Sequence, residues 1–549
     1  MALLGLAFFL SGAAALVYQV VWQRILTLHT GIGVVSVSLI VAAFMAGIGL
    51  GSELGGLVSG RVRRGTALLA FALVELGIGG FALVSCRLYH DGFGRLAEGL
   101  YQSTAGSALA HFAAFLLPTT LMGMSLPLLV RATVRETAEA ARVIGGLYGL
   151  NVLGAAFGAL VAPWLLVRFL GMEGAVRLGA LANLLAAAAA LAAARRGARA
   201  PAAAVERASA PAAAASSSGT PFGLGLALYG FSGFVALSLE IVWFRVMDVG
   251  VKSTAYTFGT VLALYLLGLG AGSLVGGRRA ARLGRPLVSF LDYQLLLLVA
   301  AGAGLALVAA LPAGTPVYSG LVDYWRDDGF FHLGADWNAG TLLRLYALLP
   351  LLLFGLPTLL MGLSFGALQR AVQDDPESSG RKVGLLQAAN ILGCTAGSLL
   401  TGLLLLERVG TAGTVRLLVV LGGLAFLLIR VRYARGVRET ALRAAALGLV
   451  LVALPSNEAL WRRVHGIEAS LPNTFIGEDA SAVSAMFPGE AGRFRVTVNG
   501  LPHSWLPYEG IHTLLGALPA LIHPAPKDVA VIGLGSGETA WAVACRPET

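Results

Sequence analysis

SGAAALVYQVVWQRIL (residues 11–26) and SGFVALSLEIVWFRVM (232–247) stand 221 positions apart and share one frame of small, apolar and tryptophan–arginine positions. The same offset carries Gly47, Gly49, Gly51, Ser52, Gly55 and Gly56 onto Gly268, Gly270, Gly272, Ser273, Gly276 and Gly277 without a gap. Further along, PTTLMGMS (118–125) matches PTLLMGLS (357–364) and Asn151 matches Asn390, at an offset of 239. A fixed-offset similarity this long is the mark of an internal repeat. The 18 extra residues fall mostly in an acidic loop holding Asp323, Asp327, Asp328 and Asp336 against Arg326.

The repeated unit is written in the composition of a membrane. Of 549 residues 57% are hydrophobic and 12% charged, with 72 glycines and a mean hydropathy of +0.79. Soluble domains carry about 25% charged residues, so a soluble enzyme along the whole length is excluded, as are disorder and a secreted disulfide scaffold. Apolar runs of spanning length, about 20 residues, lie near 2–22, 32–58, 66–86, 106–130, 144–167 and 174–194. A second series lies near 222–243, 254–277, 286–311, 341–369, 383–406 and 411–430. Between them, 195–220 is rich in Ala, Ser and Pro and reads as a flexible linker. The expected fold is therefore polytopic and α-helical, with repeat one at 1–194 and repeat two at 221–438. An even number of spans per repeat sets the two halves parallel, the layout of major facilitator transporters.

Arginine makes up nearly all of the +10 net charge, since Lys252, Lys382 and Lys527 are the only lysines. Arg61, Arg63 and Arg64, then Arg195, Arg196 and Arg199, then Arg278, Arg279, Arg282 and Arg285, then Arg430, Arg432, Arg435 and Arg438 follow even-numbered spans. The positive-inside rule puts those loops and the N-terminus in the cytoplasm, of a bacterial inner membrane. The expected partner is the lipid bilayer, not nucleic acid, for no basic stripe with interleaved aromatics occurs. Cys86, Cys394 and Cys545 have neither metal-ligand nor disulfide spacing, so no metal is expected.

Polar groups inside spans are costly and often functional. Gln19 and Glu75 in the first half correspond to Glu240 and Gln294 in the second, so each half has one carboxylate and one carboxamide with the roles exchanged. Either Glu75 and Glu240 face a central cavity as proton or cation sites, or they are interhelical glue paired with Arg24 and Arg245. Asn151 and Asn390 read as helix-packing hydrogen bonders or as ligands.

After residue 438 the sequence changes. Residues 439–469 hold a short apolar run, AAALGLVLVAL (444–454), too short to span comfortably; were it to cross, everything beyond would lie outside the cytoplasm. From 470 to 549 the pattern is soluble in style. SAVSAMF (481–487) and RFRVTVNG (493–500) alternate as strands do around a PGEAG turn. TLLGALPALIHPAPKD (513–528) reads as a helix, and VAVIGLGSGETAWAVA (529–544) as a buried strand, a glycine turn and a helix start. Such a turn brings backbone close to a ligand at a helix N-terminus.

The order VNG, YEGIHTLLGALP, HPAPKDVAVIGLGSGETA resembles the start of a spermidine synthase. Together with the SG…W.R helices it resembles the bacterial group in which a major-facilitator-like membrane domain is fused to a spermidine-synthase-like domain. The resemblance implies a small β region followed by a Rossmann-like α/β domain, and transfer of an aminopropyl group from decarboxylated S-adenosylmethionine, as substrate, to putrescine, with no tightly bound cofactor. By that resemblance Gly533, Gly535, Ser536 and Gly537 line the nucleoside site and Tyr508 and Glu509 shape the substrate pocket. Ser536 stands where the family has an acidic residue, and Ala517 where it has a histidine. The ribose-binding acid and the catalytic aspartate are expected beyond residue 549. A cytoplasmic substrate of this kind requires that 444–454 not cross. The competing expectation is a transporter or membrane scaffold whose tail is not catalytic.

Overall fold

The structure is a computed structural model. It describes residues 1–30, 34–93, 95, 98–198, 220–252, 256–312, 340, 343–434, 436–489, 492–508 and 510–547, together with Thr315, Tyr318, Val322 and Tyr324. The linker beyond Ala198, the acidic positions Asp323, Asp327, Asp328 and Asp336, and Glu509 lie outside the described residues.

The chain is a polytopic helical membrane protein. Ten stretches are long and apolar enough to cross a bilayer, two of them 60 and 55 residues long (Thr137–Arg196 and Ser379–Tyr433). At 1.5 Å per residue either would far exceed a hydrocarbon core about 30 Å thick. Each is broken at one glycine, Gly171 (φ 69°) and Gly410 (φ 70°), 239 positions apart. Only glycine takes that left-handed turn without strain, so each long stretch folds back as two spans.

The membrane helices among the described residues are α1 (Ala2–Thr30), α2 (Val34–Ser59), α3 (Arg64–Arg87), α4 (Thr104–Thr133), α5 (Thr137–Val161) and α6 (Val167–Ala198). They continue as α7 (Phe222–Gly250), α8 (Thr257–Ala280), α9 (Pro286–Ala310), α10 (Leu356–Val372, entered through a wider helical turn from Arg344), α11 (Ser379–Leu400) and α12 (Leu406–Tyr433). The expected boundaries differ from these by a few residues, because helices run past the apolar core into their caps.

Packing repeats with the sequence. α1 packs on α5 as α7 does on α11, α2 on α4 as α8 on α10, and α3 on α6 as α9 on α12. A Cβ at Gly154 would fall 1.9 Å from the Phe9 carbonyl oxygen, and one at Gly393 1.8 Å from that of Gly230. One at Gly47 would strike the Thr119 hydroxyl, and one at Gly268 that of Thr358. The halves meet along α2–α11 and α8–α5, where Gly56 lies against Gly384 and Gly277 against Gly145. Lipid gives helices no hydrophobic reason to associate, so such bare faces supply close van der Waals contact instead. Large apolar side chains that remain exposed, such as Leu73, Leu83, Leu392 and Leu428, lie on the bundle's outer surface.

The 444–454 run is part of a helix, α13 (Val437–Ala453), and it does travel the length of the bundle. At its start Glu439 and Arg443 join Arg430 of α12 and Asp292 of α9, with Arg430 Nε 2.6 Å and Arg443 Nε 2.6 Å from the Asp292 carboxylate. At its finish the Leu454 and Pro455 carbonyls accept from Arg416, near the other end of α12. Fourteen residues of α12 separate Arg416 from Arg430, about 21 Å of rise. At 17 residues the helix is shorter than the ten stretches long and apolar enough to cross a bilayer, and the Arg443–Asp292 ion pair fixes its start against α9. Leu442, Leu449 and Val452 point outward from the bundle.

Beyond α13, α14 (Asn457–Val464) and the antiparallel meander β1 (Phe475–Glu478), β2 (Val483–Pro488), β3 (Phe494–Val498), β4 (Leu501–Leu506) dock on the bundle end opposite the arginine loops. Leu460 and Trp461 of α14 are fully buried. Arg245, near the end of α7, donates to the Ala480 carbonyl at 3.1 Å and the Ala482 carbonyl at 2.9 Å, also to that of Asp479, and lies 3.6 Å from Glu478. Glu478 in turn accepts from the Thr411 amide at 2.8 Å, and Asn457 from the Ala412 amide at 2.8 Å. All of these anchors belong to the second half of the bundle.

The expected strands at 481–487 and 493–500 correspond to β2 and β3, and the expected helix to α15 (Ile511–Ile522). Residues 529–532 depart from expectation. They form no strand, and Ile532 is fully exposed. A buried strand of a parallel sheet needs partners on its edges, and among the described residues 529–532 pair with none.

Two outcomes follow from this packing. Gly154→Ala and Gly393→Ala should each lower stability by about 1–3 kcal/mol through overpacking, read as lost thermal stability in detergent, whereas Gly80→Ala, with open space around it, should be neutral. His465, at the end of α14, is held by burial at about 4, below its ordinary value. The unfolded chain takes up that proton first, so stability should fall as pH drops from about 6.5 to 4 and level off below. Proteolysis of the 465–506 region across that range checks this, and His465→Leu should flatten the profile.

Candidate functional site: a central cavity and a glycine turn

A cavity of about 290 Å³ lies between the two halves. Its wall is mostly apolar with a few convergent polar groups, the usual makeup of a small-molecule site. Gln19, Asn151, Glu240, Gln294 and Asn390 all line it. The α1–α5 and α7–α11 crossings place the two asparagines identically: Asn151 Nδ2 donates to the Phe8 carbonyl at 2.9 Å and Asn390 Nδ2 to the Tyr229 carbonyl at 2.9 Å. Each amide thus fixes a helix crossing, and the Asn390 oxygen also accepts from the Cys394 thiol at 3.8 Å. Gln294 donates to Ser364 at 3.0 Å.

The two carboxylates part company. Glu240 is half-buried on the cavity wall, which it shares with Tyr265. Glu75 is fully buried and does not line the cavity. Its Oε1 accepts from Ser11 at 2.8 Å and Ser125 at 3.1 Å, its Oε2 from Asn183 at 2.7 Å, and Asn183 accepts from Tyr18 at 2.6 Å. So Glu240 fits the expectation of a cavity group, while Glu75 ties α1, α3, α4 and α6 together. Neither is paired to an arginine as the alternative supposed, since Arg245 is spent on the C-terminal segment. Sequence reasoning passed over Tyr148, Tyr229, Tyr265 and Gln387, which also line the wall. Tyr148 and Gln387 are 239 apart, so the repeat offset was the signal that could have found that pair.

On the arginine-rich end, Glu377 of the second half meets Arg64 at 3.3 Å and also Arg131, both from the first half. These pairs are solvent-exposed on the glutamate side and contribute little stability, but they bridge the halves below the cavity.

In the C-terminal segment, Gly533, Gly535 and Gly537 all have positive φ (86°, 55° and 83°). The turn closes over β4 and the start of α15: Tyr508 donates to the Ser536 carbonyl at 2.6 Å, and a Cβ at Gly535 would fall 2.8 Å from the His503 ring. Glu538, buried, accepts from the Thr513 amide and hydroxyl at 3.0 and 2.7 Å. The structure therefore brings Tyr508, Ser536 and Gly537 together. The helix after the turn, α16 (Glu538–Ala544), has 7 residues, too short to offer a strong anion-binding N-terminus. No cluster of metal-ligating side chains occurs among the described residues.

No family model matches the chain. The polyamine aminopropyltransferases of Mycobacterium tuberculosis and Corynebacterium efficiens are each 31% identical to it over 179 residues, 32% of this chain and 32% of theirs. The match spans about a third of the length of these curated relatives. Among solved structures the chain is similar to the human organic anion transporter MFSD10, with TM-score 0.49 and 16% identity over 78% of this chain and 98% of that one. It is also similar to a bacterial homologue of the iron transporter ferroportin, with TM-score 0.42 and 14% identity over 84% and 98%.

Removing Glu75 leaves three buried donors unpaired, so Glu75→Ala should cost about 3–5 kcal/mol, whereas Glu240→Gln should leave thermal stability within about 0.5 kcal/mol of the parent. Unfolding of the two variants in the same detergent distinguishes them.

Proposed function

We propose that this chain is a multi-pass transporter of a bacterial inner membrane, in which two parallel six-helix repeats rock about a central solute cavity. The observation that carries this is the cavity itself: it lies on the seam between halves whose contacts repeat at the sequence offset, with equivalent asparagines on opposite walls. Smooth glycine seams at α2–α11 and α5–α8 suit halves that move against each other. With the arginine loops inside, the docking of the sheet at the opposite bundle end supports a position of α14, the sheet and the glycine turn outside the cytoplasm. The C-terminal segment then acts as a cap that travels with the second half.

A second reading is aminopropyl transfer from decarboxylated S-adenosylmethionine to putrescine. It is favoured by the partial match to polyamine aminopropyltransferases and by the three positive-φ glycines, which would form the start of a Rossmann-like nucleoside site at Gly533, Gly535, Ser536 and Gly537. An adenosyl substrate is cytoplasmic, and on the proposed sidedness it would not meet this turn.

The native cysteines provide the test. Cys545 is exposed, while Cys86 and Cys394 are half-buried. In intact cells an impermeant maleimide should label Cys545 and should not label a cysteine placed at Arg61; the reverse pattern would return the tail to the cytoplasm and restore the synthase reading. Cys394 lines the cavity. In a Cys86→Ser, Cys545→Ser background, a small impermeant methanethiosulfonate should reach it from either face of sealed proteoliposomes. Reaction from one face alone would mean a static scaffold.

A further inference from the structure

We propose that the cavity's solute is an organic monocation, one ammonium group on a small apolar or aromatic body, and not a polyamine or an anion. This deepens the transporter reading and rests on it. Glu240 is the one charged side chain among the described residues lining the cavity. Its counterpart at the repeat offset, Gln19, is neutral, and the second buried carboxylate, Glu75, is enclosed and already accepts three hydrogen bonds.

A single anionic site in an apolar wall is selective by charge count. A monocation brought there is neutralised by Glu240. A diammonium chain would carry a second charge with no counter-ion into a low-dielectric site, where an unpaired charge is very costly. A carboxylate or phosphate would meet Glu240 with no basic group to offset it.

The aromatic groups add a second element of recognition. Tyr148, Tyr229 and Phe365 form a cluster with ring centroids 4.4 and 6.0 Å apart on the same wall. Their π-faces attract an ammonium and pack the carbon body attached to it. Tyr265 lies on the same wall as Glu240, its hydroxyl donating to Met361 Sδ at 3.4 Å. At about 290 Å³ the space is near the lower end of small-molecule pockets, about 300–1,000 Å³, which limits the body to roughly one ring or a short chain.

The test uses the full chain in lipid nanodiscs, titrated calorimetrically with n-butylammonium, phenethylammonium, putrescine, butyrate and 1-butanol. Both monoammonium probes should bind, putrescine at least tenfold more weakly, butyrate and butanol not at all. Glu240→Gln should weaken the monoammonium probes at least tenfold. Gln19→Glu supplies a second carboxylate at the equivalent position and should shift preference toward putrescine, a gain that misfolding cannot mimic. Putrescine binding more tightly than butylammonium in the parent, or unchanged binding in Glu240→Gln, would overturn the monocation inference. So would silence from every amine. The transporter reading stands or falls separately, on whether Cys394 is reached from both faces.

Discussion

Close approach of helix backbones through bare glycine faces is the constraint on which the rest of this structure depends. Inside a bilayer there is no hydrophobic gain in moving a leucine from lipid to protein, so association must come from contact and from the few polar bonds available. Here a single added methyl at Gly51, Gly154, Gly272 or Gly393 would fall about 2 Å from a backbone carbonyl oxygen of a neighbouring helix. Because the glycines recur at a fixed offset, the same crossings recur in both halves. The cavity is what remains between the halves where the side chains on the seam are larger.

Polar groups are distributed by the same economy. A buried polar atom without a partner is costly, and several intramembrane groups here have a defined task. Asn151 and Asn390 pin equivalent crossings, Glu75 gathers four helices, and Arg430 and Asp292 join α9, α12 and α13 at the arginine-rich end. Glu240 differs in keeping part of its surface toward the cavity. That difference in exposure, and not residue type, separates a structural carboxylate from a site carboxylate in this protein.

The C-terminal segment draws its position from the bundle. Its sheet is small, and the backbone of its 479–482 turn is held by the Arg245 guanidinium, with Glu478 tied to the α12 terminus. Because every anchor lies on the second half, any rocking of the halves carries the segment as one body with α7, α9 and α12. The glycine turn is held by Tyr508 and His503 without a completed sheet around it, which is why its shape is formed while the adjoining 529–532 run stays exposed.

Much of this was legible in the order of residues alone. Apolar length marked the spans, because only about 20 residues of helix cross a bilayer. The offsets of 221 and 239 marked the repeated contacts, because equal glycines at equal spacing allow equal crossings. Strands β2 and β3 followed from alternation, which reflects one buried face. What tertiary structure alone decided were matters of neighbours. Glu75 and Glu240 look alike in sequence, and only the donors around one and the space beside the other tell them apart. Residues 529–532 have the composition of a strand but lack a partner edge. The 444–454 run is too short to be read as a crossing by itself. It lies along α12 because Arg443 finds Asp292 at one end and Leu454 meets Arg416 at the other. Composition reports what a segment costs to bury, whereas its place depends on which groups are there to receive it.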